Sequence, residues 1–282
     1  MSVSSSKAAA KPAIKPSLEK ARAALASSLT NRLPSSSRPL PRAIPARAEP
    51  VEGLPEVLHP GAPILSEVFS ATGACAVPAG FVLAQLPRGA FSGRPILWIQ
   101  DRLSLREAGR PYLGGSPEGL RILRVAVSRP VDALWAMEEG LGCDGLAAVV
   151  GEVWGDPQAV DFTATKRLAM RAETQGRPAW LIRRAASPDL SAARRRWRLG
   201  PLPSLPCEDD LQAPGQPRWA AELFRTRTGQ PGRWQLVPEM GGLRAEPLEG
   251  GTEEALPRES SGSVVTVPFG EAPPQRAAAR AG

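Results

Sequence analysis

Histidine is nearly missing from this chain: His59 is the sole one in 282 residues, and Cys75, Cys143 and Cys207 are odd in number, far apart and form no C-x-x-C. Zinc sites and histidine-based triads need more ligands or bases than that, so both classes are excluded. Three scattered thiols make no disulfide framework and fit a reducing compartment. No apolar run approaches the roughly 20 residues that cross a bilayer, so a cytoplasmic protein without a membrane partner is expected. Lysine is lacking at one telling place, because none occurs between Ser66 and Arg88.

That gap matters because residues 65–80, LSEVFSATGACAVPAG, have the outline of a phosphate-binding turn. Leu65, Val68 and Phe69 read as a buried strand, and the small residues after them suit a tight loop. A short helix should follow, with Gly80, Phe81, Val82, Leu83, Ala84 and Leu86 as its apolar face and Pro87 and Gly89 ending it. A working loop needs G-x-x-x-x-G-K-[ST], since the lysine reaches the β- and γ-phosphates and the hydroxyl holds magnesium. Gly73 and Gly80 are here; the lysine is not.

The metal position looks equally degenerate. The buried strand read over 146–150 (LAAVV) ends at Gly151 and Glu152, so the place nearest the sheet has no side chain and Glu152 should turn to the other face. Asp101 follows the second apolar run, where it reads as a helix cap or salt-bridge partner more than as a group that orients water. The expectation is a protein that is not an enzyme, with no catalytic residue, no cofactor and no metal.

Proline, at 31 residues, is about twice its usual share and points to long irregular segments. Residues 1–50 carry nine Lys and Arg against two Glu, the stretch 51–240 carries 22 against 20 acids, and 241–282 carries four against six. The formal charge of +7 therefore belongs to a tail more than to a domain. We expect a disordered basic arm over 1–52, a folded core over 53–240 and a disordered tail over 241–282. The start has the superficial composition of an organelle transit peptide, with a plain basic arm as the other reading. Within it, Leu18, Ala21, Leu25 and Leu29 recur at helical spacing behind Pro16, either as a transient helix or as one that folds on a partner. The island 264–269 (VVTVPF) is either inert tail or a strand that pairs with a partner's sheet edge.

The core alternates strand and helix. Apolar runs at 64–69, 95–100, 121–127, 146–150 and 179–183 lack polar alternation, as strands covered on both faces do. Asp132 is read as the cap of a helix ending at Gly142, and Asp161 as the cap of one ending at Gly176. This predicts an α/β fold with a mostly parallel sheet and flanking helices. Further on, residues around 197–199 suggest a strand, 200–217 a proline-rich excursion, and 218–227 with 233–237 a C-terminal β-hairpin. Trp98, Trp135 and Trp180 are read as core, and Trp219 and Trp234 as packing on the sheet. The densest basic feature gathers Arg183, Arg184, Arg194, Arg195, Arg196, Trp197 and Arg198. Two readings stand: a DNA contact in which arginines take phosphates and the indole stacks, or an exposed helix end or edge strand kept soluble by charge.

Six segments in this order carry a family resemblance: 65–86, PILWIQDR at 95–102, RPYLGG at 110–115, DALWAMEEGL at 132–141, LAAVVGEV at 146–153 and RWAAELFRTRTGQPGRW at 218–234. Together, across about 54–238, they resemble the ImuA family, RecA-like proteins encoded in many bacteria beside ImuB, a Y-family-like polymerase homologue, and an error-prone polymerase. The resemblance implies a RecA-like core used as a binding scaffold in SOS mutagenesis and translesion synthesis. It implies an ImuB-like protein, the error-prone polymerase and RecA as partners, with DNA met through the basic arm. Because the family is sometimes grouped with SulA, a cell-division inhibitor is the alternative implied; residual ATP binding is another.

Overall fold

A computed structural model describes residues 54–70, 72–86, 93–113, 119–207, 209–210, 212–239 and 242–248. The basic arm, its 16–29 helix and the 264–269 island lie outside them. Among the described residues nine strands form one sheet in the order β3-β2-β4-β5-β1-β6-β7-β8-β9. The first six in that order run parallel: β3 (Ile122–Val127), β2 (Ile96–Asp101), β4 (Ala148–Trp154), β5 (Ala179–Arg184), β1 (Leu65–Ser70) and β6 (Arg195–Leu202). The last three, β7 (Arg218–Thr226), β8 (Gly232–Glu239) and β9 (Gly242–Pro247), add antiparallel. The expected α/β class, mostly parallel sheet and C-terminal hairpin are all present.

Burial on both faces explains the uninterrupted apolar runs of β1, β2, β4 and β5, whereas β3, expected to be covered likewise, ends the sheet and has only half-buried and exposed residues. Every residue of β1, β2 and β5 is buried, because α3 (Pro130–Leu141) and α4 (Phe162–Gln175) cover one face while α1 (Val77–Ala84) packs on the other. On the α1 face Phe81 meets Trp180 edge-on at 5.9 Å and Trp197 at 5.2 Å. Trp98 and Trp180 are buried, Trp135 is half-buried against the other core, and Trp219 and Trp234 pack on the sheet as expected. None of the helices among the described residues is long and apolar enough to cross a membrane.

Four local expectations are corrected. Helix α1 starts at Val77 with Pro78 in its first turn, so Gly80 lies inside the helix and not at its start. Asp132 is not the cap of α3, because Pro130 occupies the first turn and Asp132 instead takes the Arg129 side chain at 2.6 Å. Strand β4 does not stop at Gly151; it continues to Trp154. Residues 242–247, expected to be tail, form β9, which pairs with β8 through Leu243 opposite Pro238 and Ala245 opposite Leu236. Asp161 does cap α4, accepting from Ala164 N at 2.7 Å, and Gly176 closes it in the left-handed region at φ 61°.

Candidate functional site

The loop after β1 is filled from below by its own sheet. Arg184, the last residue of β5, is 3% exposed. Its Nη1 donates to Gly73 O at 2.9 Å and to Cys75 O at 2.8 Å, and its Nε donates to Glu152 Oε2. Glu152, fully buried on β4, also accepts from Trp98 Nε1 of β2 at 2.6 Å. A single polar chain thus crosses four adjacent strands, from Trp98 through Glu152 and Arg184 to the loop beyond β1. Both carboxylate oxygens and the guanidinium are engaged, which is the condition under which a buried pair is tolerated.

The polarity of that loop is opposite to a phosphate cradle. Phosphate is held by inward-pointing N–H groups, whereas here two carbonyls turn to a cation. Trp154, at the end of β4, presses its ring on Gly73: a Cβ there would lie 2.1 Å from Trp154 Cη2. Gly80 contributes to packing, where a Cβ would meet the Trp219 ring at 3.0 Å. The arrangement holds the loop in place as a strut; an anion would have to displace the indole and reverse the carbonyls.

The two metal-position residues sit on faces opposite to those expected. Gly151 points toward α3, where a Cβ would lie 2.2 Å from Met137 Sδ, and Glu152 points toward the loop. A strand alternates faces, and β4 runs three residues further than the sequence suggested, so the small residue serves helix packing. Asp101, N-cap of α2 (Arg102–Ala108), accepts from Ser104 N at 2.7 Å with one oxygen and from Trp154 N at 3.0 Å with the other. Among the described residues no three His, Cys, Asp or Glu side chains gather where they could hold a metal.

Most of the basic segment is inside the protein, with Arg194 and Arg198 half-buried. Arg183 and Arg196 are 3% and 4% exposed and flank the buried Glu67 of β1; Arg196 Nε reaches Glu67 Oε2 at 2.7 Å and Arg183 Nη1 stands 4.0 Å from Oε1. Arg183 also donates to Asp156 Oδ1 at 2.8 Å. Phe69 lies between the guanidiniums of Arg183 and Arg196 at 5.7 and 5.2 Å, and Phe224 between those of Arg196 and Arg198 at 5.3 and 4.3 Å. Burial pushes the Arg183 pKa down, with Glu67 and Asp156 opposing the shift. On the other face Arg195, also pushed down by burial, donates to Val57 O at 2.9 Å. Trp197 is fully buried beside Phe81 and Trp234, Arg194 pairs with Glu173 of α4, and Arg198 pairs with Glu222 at 3.2 Å.

Both sequence readings of this segment are therefore corrected. Arg183, Arg184, Arg195, Arg196 and Trp197 have no surface to offer a nucleic acid, and β6 is neither an edge nor a helix end. The reason is topological: β7, β8 and β9 extend the sheet past β6 and make it an interior strand. The residues that pair with these arginines, Glu67 and Asp156, were missed. A signal existed in LSEVFS, where a glutamate stands within a strand that is otherwise Leu, Ser, Val and Phe and calls for a buried cation.

No family model matches the chain. It is 35% identical over 185 residues to Protein ImuA of Caulobacter vibrioides strain NA1000 / CB15N, a match covering 61% of this chain and 72% of that relative. Protein ImuA of Caulobacter vibrioides strain ATCC 19089 / CIP 103742 / CB 15 matches with the same figures, 35% over 185 residues.

Proposed function

On the premise that the chain belongs to the ImuA family, we propose that it is a non-catalytic accessory protein of SOS mutagenesis, a RecA-like scaffold that joins an ImuB-like protein and an error-prone polymerase at damaged DNA and contacts RecA. The observation that carries the non-catalytic part is the Arg184 strut. A motor of this type needs a lysine on the phosphates, an acid for magnesium and a carboxylate on water. At the first place the loop carbonyls of Gly73 and Cys75 already hold Arg184; at the others Glu152 and Asp101 have both oxygens committed within the protein. Emptied of that chemistry, such a fold contributes surfaces, and the protein works in the cytoplasm by binding.

Two measurements test this reading. Millimolar Mg-ATP should leave the thermal midpoint unchanged, since a ligand that binds only the native state at 100 times its Kd would add about 2.7 kcal/mol. A rise of several degrees would sink the empty-pocket part. Co-expression with an ImuB-like protein should give a complex that survives purification and DNase treatment. Filamentation of cells on overexpression without such a complex would instead favour a division inhibitor.

A further inference from the structure

Most of the arginines expected to meet DNA are buried, yet another set faces solvent around the β2–β3 end of the sheet, where β3 has no outer neighbour among the described residues. Arg102, Arg106, Arg110, Arg124 and Arg129 are all exposed, and so is Tyr112, at 85%. Register brings them together. Asp101 pairs with Val127, so Arg102 and Arg129 both follow the same end of the β2–β3 pair. Arg124 stands opposite Trp98, and Gln100 lies two residues beyond Trp98 on the same face. Gln100 Nε2 donates to Gly109 O at 2.8 Å, which holds the end of α2, next to Arg110, at that face of β2.

Acidic neighbours answer only part of this charge. Glu107 takes Arg106 and Asp132 takes Arg129, each at 2.6 Å. Arg102, Arg110 and Arg124 form no ion pair among the described residues. Three guanidiniums without an ion pair and an exposed phenol ring thus belong to one stretch of chain, 102–124, that runs from the end of β2 to the outermost strand β3.

We propose that the β3 edge binds single-stranded nucleic acid, with Arg102, Arg110 and Arg124 on phosphates and Tyr112 stacked on a base. A guanidinium serves phosphate bidentately, and a ring that stands clear of its own protein can stack only where bases are unpaired. A duplex offers no such base face, and an acidic protein strand would leave Tyr112 without a partner. The inference deepens the proposed role at damaged DNA, but its test reads nucleic-acid contact alone. Failure here would leave complex formation with the ImuB-like protein as a separate result.

The experiment uses the full chain and a fluorescein-labelled oligothymidylate about 30 nucleotides long, with binding followed by anisotropy across a salt series. Each phosphate contact on a single strand contributes about 0.7 to the slope of log K against log salt, so R102Q/R110Q/R124Q should lower the slope by about 2. The basic arm contributes equally to every variant and cancels in that difference. Tyr112→Ala should weaken binding about tenfold at unchanged slope. The lysine triple variant should keep the slope, and R225Q/R227Q, at the end of β7, should keep both slope and affinity. All of these side chains are exposed, and thermal midpoints check that each variant folds. An unchanged slope in the glutamine triple variant, or a Tyr112→Ala variant that binds normally, overturns the proposal. Competition by polyglutamate as effective as that of unlabelled oligothymidylate overturns it too, in favour of an acidic protein ligand.

Discussion

Arg184 and Glu152 each depend on the other for their burial. Removing one charge strands its partner in a medium that cannot solvate it, so Glu152→Gln should lower stability by about 3–5 kcal/mol, read as a fall in the urea midpoint. Arg184→Met combined with Glu152→Leu should cost clearly less than the two single changes added together, because no orphan charge is left. Additive losses would mean that the strut is not a pair. Arg194 and Glu173 illustrate the weaker surface case. The hydrogen bond from Arg194 holds the Glu173 carboxyl below its ordinary 4.5, against a smaller upward push from burial. A depressed folded pKa contributes stability that is complete above 4.5 and disappears as pH falls through the lower folded value. Glu173→Gln should therefore be less stable than the wild type at neutral pH and match it in acid below that value; a gap that stays constant with pH would refute the linkage.

Strand β9 shows where element-level reading runs out. Residues 241–248, GGLRAEPL, carry two glycines, a proline and two charges, a composition that by itself looks like tail. What makes it a strand is an existing neighbour: β8 presents a row of open backbone groups, and Leu243 can reach the core at 7% exposure. Leu243→Ala should accordingly cost about 2 kcal/mol or more in chemical denaturation, as a packed leucine does. A neutral result would place the segment outside the cooperative fold. By contrast β1, β2, β4 and β5 were legible from their unbroken apolar runs, and α4 from Asp161 and Gly176, because those signals are local. Asp132 misled because proline at the first helical position needs no cap beyond it.

Taken whole, the molecule sets its charges by strand order. The sheet places six parallel strands first and three antiparallel strands after them, and this decides that Arg183, Arg184, Arg195 and Arg196 of β5 and β6 are interior while the arginines around β3 face water. That is why the DNA experiment is directed at Arg102, Arg110 and Arg124, residues that sequence reading passed over. They lie dispersed over 23 positions, without the local density that drew attention to 194–198.

By itself the sequence determined the class of fold, the lack of a lysine in the β1 loop, the poverty of metal ligands and the family, since each depends on residue type at short range. Only tertiary structure decided which charges are buried, that Glu152 faces the loop and Gly151 the helix, and that Arg184 fills the space beneath Gly73. Those outcomes depend on which strand lies beside which, and strand neighbours are chosen by packing across the whole sheet rather than by any residue's own sequence context.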